Sequence, residues 1–218
     1  MGVGKIKPLK LGNSTPLLTS KKEVSVTVPD DEENGKEEAQ PVSEDEQRES
    51  IKIQAKLAEI GEKLGLKIWL PRNDRGKVLE IWQPKKESLL EELPLVFDET
   101  TLKTIRNIDV LWIKRRSIVR AFEVEGTTSI YSGILRMADL LALQPMLDIK
   151  IHIVAPVNRK DAVNKQITRP VFAVMEKGPL SELCSFISYD SISELAKEKR
   201  LEHMTDSIID EYSEFPEE

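Results

Sequence analysis

The chain has 218 residues, 39% apolar and 32% charged, with a formal net charge of −6, which allows one globular domain with polar ends or at most two small ones. Its one cysteine, Cys184, excludes an internal disulfide and a Cys-rich zinc framework, and two histidines, His152 and His203, are too few for a histidine-built metal centre. No apolar run reaches the roughly 18 residues of a membrane span, and the opening MGVGKIKPLKLG lacks a secretory apolar core, so a cytoplasmic protein without a membrane partner is expected.

Taken in chain order, residues 1–29 carry five Lys and one Glu, and residues 30–49 carry ten acidic and two basic side chains. Apart from the short VSVTV run, residues 1–49 read as a disordered acidic segment, too polar to offset its ordering entropy. From Ser50 the spacing of Ile51, Ile53, Leu57, Ile60 and Leu64 predicts a helix capped by Ser50, with Gly61 and Gly65 bracketing its end. LKIWL, stopped by Pro71, predicts a strand; PRNDRGK has turn chemistry, and VLEIW resumes a strand-like pattern. Residues 87–95 and 99–106 are short helix candidates. Ile108–Ile113 and Ile118–Glu125, separated by Lys114-Arg115-Arg116-Ser117, form a hairpin signature.

Thr128 or Ser129 then caps a helix running to about Leu143, with Ile130, Ile134, Met137 and Leu141 on one face. Ile149–Ala155 predicts a strand buried on both sides. Asp161–Ile167 predicts a helix, Val171–Met175 and Leu183–Tyr189 strands, and Ser191–Lys199 a helix capped by Ser191. Residues 202–218 form an acidic tail with seven carboxylates and no Lys or Arg, which leaves 50–201 as a mildly basic body of net charge +5. The acidic pI of the whole chain therefore does not argue against a nucleic-acid partner. The order of elements predicts an α/β domain over 50–201, with a central mixed β-sheet flanked by helices on both faces.

Period-two alternation puts Ile118, Arg120, Phe122 and Val124 on one face of their strand and Val119, Ala121, Glu123 and Glu125 on the other. Asp109 shares a face with Leu111 and Ile113, and pairing about the turn places it near Glu125. Three carboxylates from two strands then converge, an arrangement that needs protons or a cation. Oxygen-only donors suit Mg²⁺ or Mn²⁺, and phosphodiester hydrolysis uses such an ion. The same residues also admit a plain reading: an acidic pair facing solvent at a strand end, with Asp109 capping a turn.

The segment NIDVLWIKRRSIVRAFEVEGTTSIYSGILRMADLL resembles the catalytic hairpin and following helix of the PD-(D/E)xK nuclease superfamily, and the likeness extends over about residues 50–200. The resemblance implies a restriction endonuclease-like core. It matches Asp109 to the motif's Asp and Glu123 to its (D/E), the two metal positions, while Glu125 occupies the Lys position and would take over water activation as a carboxylate. The family's preceding helix often adds an acidic residue, for which Glu59 is preferred to Glu62. The implied cofactor is Mg²⁺, with Mn²⁺ as an alternative. DNA is the implied partner, with the chain acting as a homodimer or in a larger defence or repair complex.

Candidate DNA contacts are Arg136, which lies with Ser129 and Ser132 on the polar stripe of its helix, the loop residues Arg72, Arg75 and Lys77, and the turn residues Lys114, Arg115 and Arg116. Thr127 and Thr128 would offer hydroxyls and backbone N–H groups. For each, a solvated surface position is the plain alternative, and Trp69, Trp82, Trp112 and Tyr131 read as packing residues. The function expected is a metal-dependent DNA endonuclease. The alternatives are a catalytically inactive nuclease-fold module that binds DNA or a partner protein, and an interaction subunit working through its acidic ends.

Overall fold

The apolar runs of the middle of the chain assemble into one five-stranded mixed sheet in the computed structural model, which describes residues 44–85, 87–94, 97–126 and 130–216. In chain order the elements are α1 (Glu44–Lys63), β1 (Lys67–Trp69), α2 (Arg72–Leu79), α3 (Glu99–Arg106), β2 (Val110–Lys114), β3 (Ser117–Val124) and α4 (Ile130–Leu143). They continue with β4 (Lys150–Ala155), α5 (Lys160–Ile167), α6 (Pro170–Ala173), α7 (Leu180–Leu183), β5 (Cys184–Ser188) and α8 (Tyr189–Leu195). The strands lie in the order β1-β2-β3-β4-β5. The first two pairings are antiparallel and the last two parallel. No helix among the described residues is long and apolar enough to cross a membrane.

Each face of the sheet buries its own apolar layer. On one, Leu57 and Ile60 of α1, Val78 of α2 and Ile192 of α8 pack on Ile68, Trp112, Phe122 and Val154. On the other, Ile105 of α3, Ile134 and Met137 of α4 and Val163 of α5 pack on Leu111, Ala121, Ile153 and Phe186. A fully buried side chain of this size contributes about 1.5–3 kcal/mol. The α/β architecture with helices on both faces is thus as the sequence predicts.

Gly61 lies inside α1 rather than at its end. A Cβ there would stand 2.5 Å from Trp112 Nε1 and 2.6 Å from Ile68 Cδ1, because Trp112 reaches up to donate to the Leu57 carbonyl at 3.0 Å. Alanine would gain about 1 kcal/mol of helix propensity, but displacing an indole and a strand isoleucine costs about 1–3 kcal/mol. Gly61→Ala is expected to lower stability by up to about 2 kcal/mol net, and a urea titration showing a gain would contradict this packing. Gly65, at φ +77°, is the residue that ends the helix.

The β2–β3 hairpin closes on a two-residue turn, with Lys114 opposite Ser117 and Arg115 at φ +59°. A bulge follows: Ile113 faces Ile118, but Trp112 faces Arg120. The extra residue overturns the expected alternation at the start of β3. Ile118 joins Ala121 in one layer, while Val119 packs with Phe122 and Val124 in the other. Beyond the bulge the alternation holds through Glu123.

Several elements depart from expectation. The chain is already helical at Glu44, the first described residue, six residues before Ser50. Ser50 is inside the helix and bonds back to the Gln47 carbonyl. Residues 1–43 of the expected disordered segment lie outside the described residues, as do Thr127, Thr128 and Ser129. PRNDRGK and the start of VLEIW form α2, where Val78 and Trp82, four apart, are both buried. Residues 87–90 are not helical; Leu89 bridges to Ile68 at the sheet edge. Val171–Met175 is not a strand: Pro170 opens α6, leaving Val171 and Val174 exposed. The cap of α8 is Ser188, accepting from Ser191 N–H, rather than Ser191.

The acidic tail is folded as far as it is described. Residues Asp206–Tyr212 form 3-10 turns with Ile209 buried, and Glu214 pairs with Phe186 backbone to backbone. Its anchor is Arg120, 1% exposed in the middle of β3, which bonds Asp206 at 3.1 Å and Asp210 at 2.7 Å. Burial would raise the Asp210 carboxyl, but Arg120 and Lys150 outweigh it and bring it down to about 2. His152 also contacts Arg120 and is driven down to about 3 by burial and that positive charge. It is a neutral core residue.

Candidate active site

Beyond the bulge, Asp109 and the acidic pair of β3 meet at one end of the sheet. Asp109 immediately precedes β2, and its Oδ2 accepts the Val124 N–H at 2.7 Å, finishing the hairpin ladder with a side chain. Glu123 is fully buried beneath α4. Both its oxygens accept from Arg136, from Nε at 2.9 Å and from Nη2 at 2.7 Å, the bidentate geometry of a strong charge-assisted pair. Glu125 continues past β3, held by its own N–H to the Val154 carbonyl at 2.8 Å and by its carbonyl, which accepts from Tyr189 Oη at 3.0 Å. The register differs from that expected: continuing the pairing of Val110 with Phe122 sets Asp109 against Glu123 rather than Glu125.

The Glu125 carboxylate presses on α4 at Gly133, whose N–H donates to it. A Cβ at Gly133 would stand 2.1 Å from Glu125 Oε1. A glycine in the middle of an apolar helix is the sequence signal for such a close approach.

Three carboxyls thus sit within electrostatic reach of one another around one guanidinium. Burial, then the charge of Glu123, holds the Asp109 carboxyl well above its usual range, against the pull of Arg136 and the Val124 N–H. Its one open side is the cleft, onto which it keeps some surface. Burial and Glu123 likewise raise Glu125 to about 8, opposed by Arg136, the Gly133 N–H and Arg159. Both groups bind protons more tightly folded than unfolded, so their contribution to stability is complete at low pH and is lost as pH rises from the ordinary 4.5 of Glu125 towards about 8. Metal-free protein is expected to lose stability between about pH 6 and 8, where ordinary carboxylates are already ionised, and Mg²⁺ added at about pH 8 should restore it. Thermal melts with chelator and with Mg²⁺ test this; a midpoint indifferent to both would contradict it.

A cleft of about 240 Å³ opens over these residues between the first turns of α1 and the start of α4. Asp109, Glu125 and Arg136 form its floor, with Glu46 and Gln54 of α1 and Asp74 of α2 among its walls. Gln54 is 3% exposed and its Oε1 is buried without a hydrogen-bond partner, an arrangement that costs about 1–3 kcal/mol. Sequence reasoning missed Gln54, Glu46, Asp74, Gly133 and Arg159. For Gln54 the signal was present: a polar residue on the same stripe as Leu57, Ala58 and Gly61.

The other expected site residues lie elsewhere. Glu59 pairs with Lys63 at 2.7 Å, 44% exposed, because the stripe of α1 that faces the sheet runs through Leu57 and Ile60. Glu62 accepts from Lys85 N–H and Ser88 Oγ. Arg75 is structural: it pairs with Glu91 at 2.8 Å and lies 4.9 Å over the Trp69 ring. Lys114, Arg115 and Arg116 are exposed at the hairpin turn, about 25 Å of strand away from Glu125. Trp69, Trp82 and Trp112 are buried, as expected, while Tyr131 is exposed beneath Arg169. Arg136 reaches the site, while Arg72 is exposed on α2 and is not among the residues that line the cleft.

Among the described residues no three carboxylate, imidazole or thiol groups are gathered closely enough to cage an ion. The donor set still suits Mg²⁺, which is held by one or two carboxylates and completes its shell with water and phosphate oxygens. Asp109 and Glu125 supply two such groups on one cleft.

The chain was compared with known proteins. The family described as Type II restriction enzyme NmeDI C-terminal domain matches residues 27–215. The type II restriction enzyme NmeDI of Neisseria meningitidis serogroup C is 30% identical over 159 residues, an alignment that takes in 69% of this chain and 43% of that enzyme. The chain therefore spans less than half the length of that relative. No solved structure matches.

Proposed function

The chain belongs to the NmeDI C-terminal domain family of type II restriction enzymes, and from that premise we propose that it is a Mg²⁺-dependent DNA endonuclease with a PD-(D/E)xK-type, restriction endonuclease-like core. The observation that carries this reading is the cleft lining: two carboxyls, Asp109 and Glu125, enclosed in protein beside a third, so that all three can ionise together only with more positive charge than Arg136 supplies. When bound, the ion would neutralise that charge, polarise the phosphate and acidify a water.

The residues divide the remaining work. Asp109 is the fixed ligand, oriented by the Val124 N–H. Glu123 holds the motif's second metal position but gives both oxygens to Arg136. Glu125, in the motif's Lys position, is the member of the pair that lines the cleft. We assign Glu125 the place of the base for the attacking water: its carboxyl is raised to about 8 in the bare site, and the charge of a bound ion would favour its ionised, proton-accepting form. Arg136, 20% exposed, positions Glu123 and lines the cleft that an incoming phosphate would enter. Cutting both strands calls for two such sites, hence a dimer on the DNA.

The departure at Glu125 favours a second reading, a nuclease fold that binds DNA without cutting it. Incubating the protein with supercoiled plasmid and Mg²⁺ or Mn²⁺ separates the two. Metal-dependent nicking or linearisation is the expected result; salt-sensitive binding without cleavage would support the second reading and end the first.

A further inference from the structure

Glu125 stands one residue past the end of β3 and one before Gly126, where the sheet gives out. The direction in which a side chain leaves the backbone is set by the two peptide planes that flank it, so a functional group placed here needs both planes held. The plane before Glu125 is fixed by β4, because its N–H donates to the Val154 carbonyl at 2.8 Å. The plane after it lacks such a partner. Val124 pairs with Val154 in parallel, and the next step of that ladder would bring the N–H of residue 156 to the Glu125 carbonyl. Residue 156 is proline and has no N–H to give.

Tyr189, the first residue of α8, fills the gap: its Oη donates to the Glu125 carbonyl at 3.0 Å. Among the described residues it is the one side chain hydrogen-bonded to Glu125. The phenol is itself held in place. Its ring is half-buried in the layer shared by α1 and α8. Its own carbonyl accepts from Ser193 Oγ at 2.7 Å, and Ser193 accepts from Lys56 Nζ of α1 at 2.7 Å. Burial, then the charges of Glu125 and Asp109, push the hydroxyl above the ordinary phenol range, so it stays a donor through neutral and mildly alkaline pH.

On the far side of Glu125 there is little tolerance. Its carboxylate accepts the Gly133 N–H, and a Cβ at Gly133 would stand 2.1 Å from Oε1. A rotation of the Glu125 backbone moves that carboxylate off its seat on α4.

Resting on the nuclease reading, we propose that Tyr189 is a positioning residue of the site: its hydroxyl stands in for the N–H that Pro156 lacks, and so holds Glu125, the base for the attacking water, in its place on the cleft. Tyr189 is not among the residues that line the cleft. It acts through Glu125.

Tyr189→Phe in the full chain tests this, since it keeps the ring and removes one oxygen. In plasmid nicking with Mg²⁺, kcat should fall about 10- to 100-fold, the effect of a base displaced by up to about 1 Å. KM and metal-free DNA affinity should stay within about threefold of the parent, and the melting temperature should drop by no more than about 2–4 °C. Tyr212→Phe, which removes a phenol hydroxyl from the tail packed on the same layer, should match the parent throughout. Amide hydrogen exchange gives a readout that needs no cleavage: the N–H groups of Glu125 and Gly133 should exchange at least about tenfold faster in Tyr189→Phe. Parental kcat in Tyr189→Phe, or unaltered exchange at both amides, would overturn the inference. So would a fall in kcat matched by an equal loss of DNA affinity, the mark of a loosened fold. A parent that never nicks plasmid ends the nuclease reading instead, and the exchange rates then decide by themselves whether Tyr189 holds Glu125.

Discussion

Asp109→Asn is expected to abolish DNA cleavage, by about 10²- to 10⁴-fold or more, without destabilising the protein. Asparagine keeps the shape of aspartate and retains an oxygen to accept the Val124 N–H, a bond of 2.7 Å in the parent. What it removes is the charge, and that charge is a burden on the metal-free fold: burial and Glu123 already push the Asp109 carboxyl well above its usual range. At about pH 8 the variant should therefore melt at or above the parental temperature while failing to nick plasmid. Glu125→Gln should behave in the same way, since its carboxyl is also raised by burial and Glu123. A loss of cleavage accompanied by unfolding would point to a structural role. Parental cleavage by Asp109→Asn would remove the grounds for a carboxylate-held ion altogether.

Arg136→Ala should have the opposite profile, a large loss of stability. Arg136 is 20% exposed and Glu123 not at all, and the two are joined by a bidentate bond. Truncating the arginine leaves a carboxylate buried among two others with its cation gone, which costs about 3–5 kcal/mol. The double variant Arg136→Ala/Glu123→Gln should recover much of that loss, because the stranded charge is then absent too. Arg136→Lys should recover little, a point ammonium being unable to satisfy both oxygens. Chemical denaturation of the four proteins measures the coupling. If Arg136→Ala alone costs under about 1 kcal/mol, the pair is acting as a surface ion pair, and Glu123 must be better solvated than its position beneath α4 implies.

Features written in local periodicity were legible in the chain itself. The acidic pair at the end of an apolar strand, the facing Asp109, the amphipathic α4 and the doubly buried β4 follow from spacing alone, because side-chain direction in strands and helices is set by the backbone. Short ambiguous runs were not. VLEIW fits a strand by alternation and a helix by the four-residue step from Val78 to Trp82, and burial of both decided for the helix end. Val171–Met175 is β-branched, yet Pro170 starts a helical turn and nothing covers Val174, 83% exposed. The α1 contribution to the site moved from Glu59 to Gln54 because which stripe of a helix faces a sheet depends on the sheet.

From its order of residues alone, the chain determined an α/β domain, the hairpin that carries Asp109, Glu123 and Glu125, and the chemical character of the donors, since each of these rests on interactions within a turn or between neighbouring strands. Only the tertiary structure decided that a bulge opposes Trp112 to Arg120, that Arg136 clasps Glu123, and that Arg120 draws Asp206 and Asp210 onto the sheet from 86 and 90 residues away. It likewise brought Gln54 to the cleft wall, where its Oε1 is left without a partner. These are charge and hydrogen-bond pairings between distant segments, and their partners are selected by burial, which no local pattern encodes.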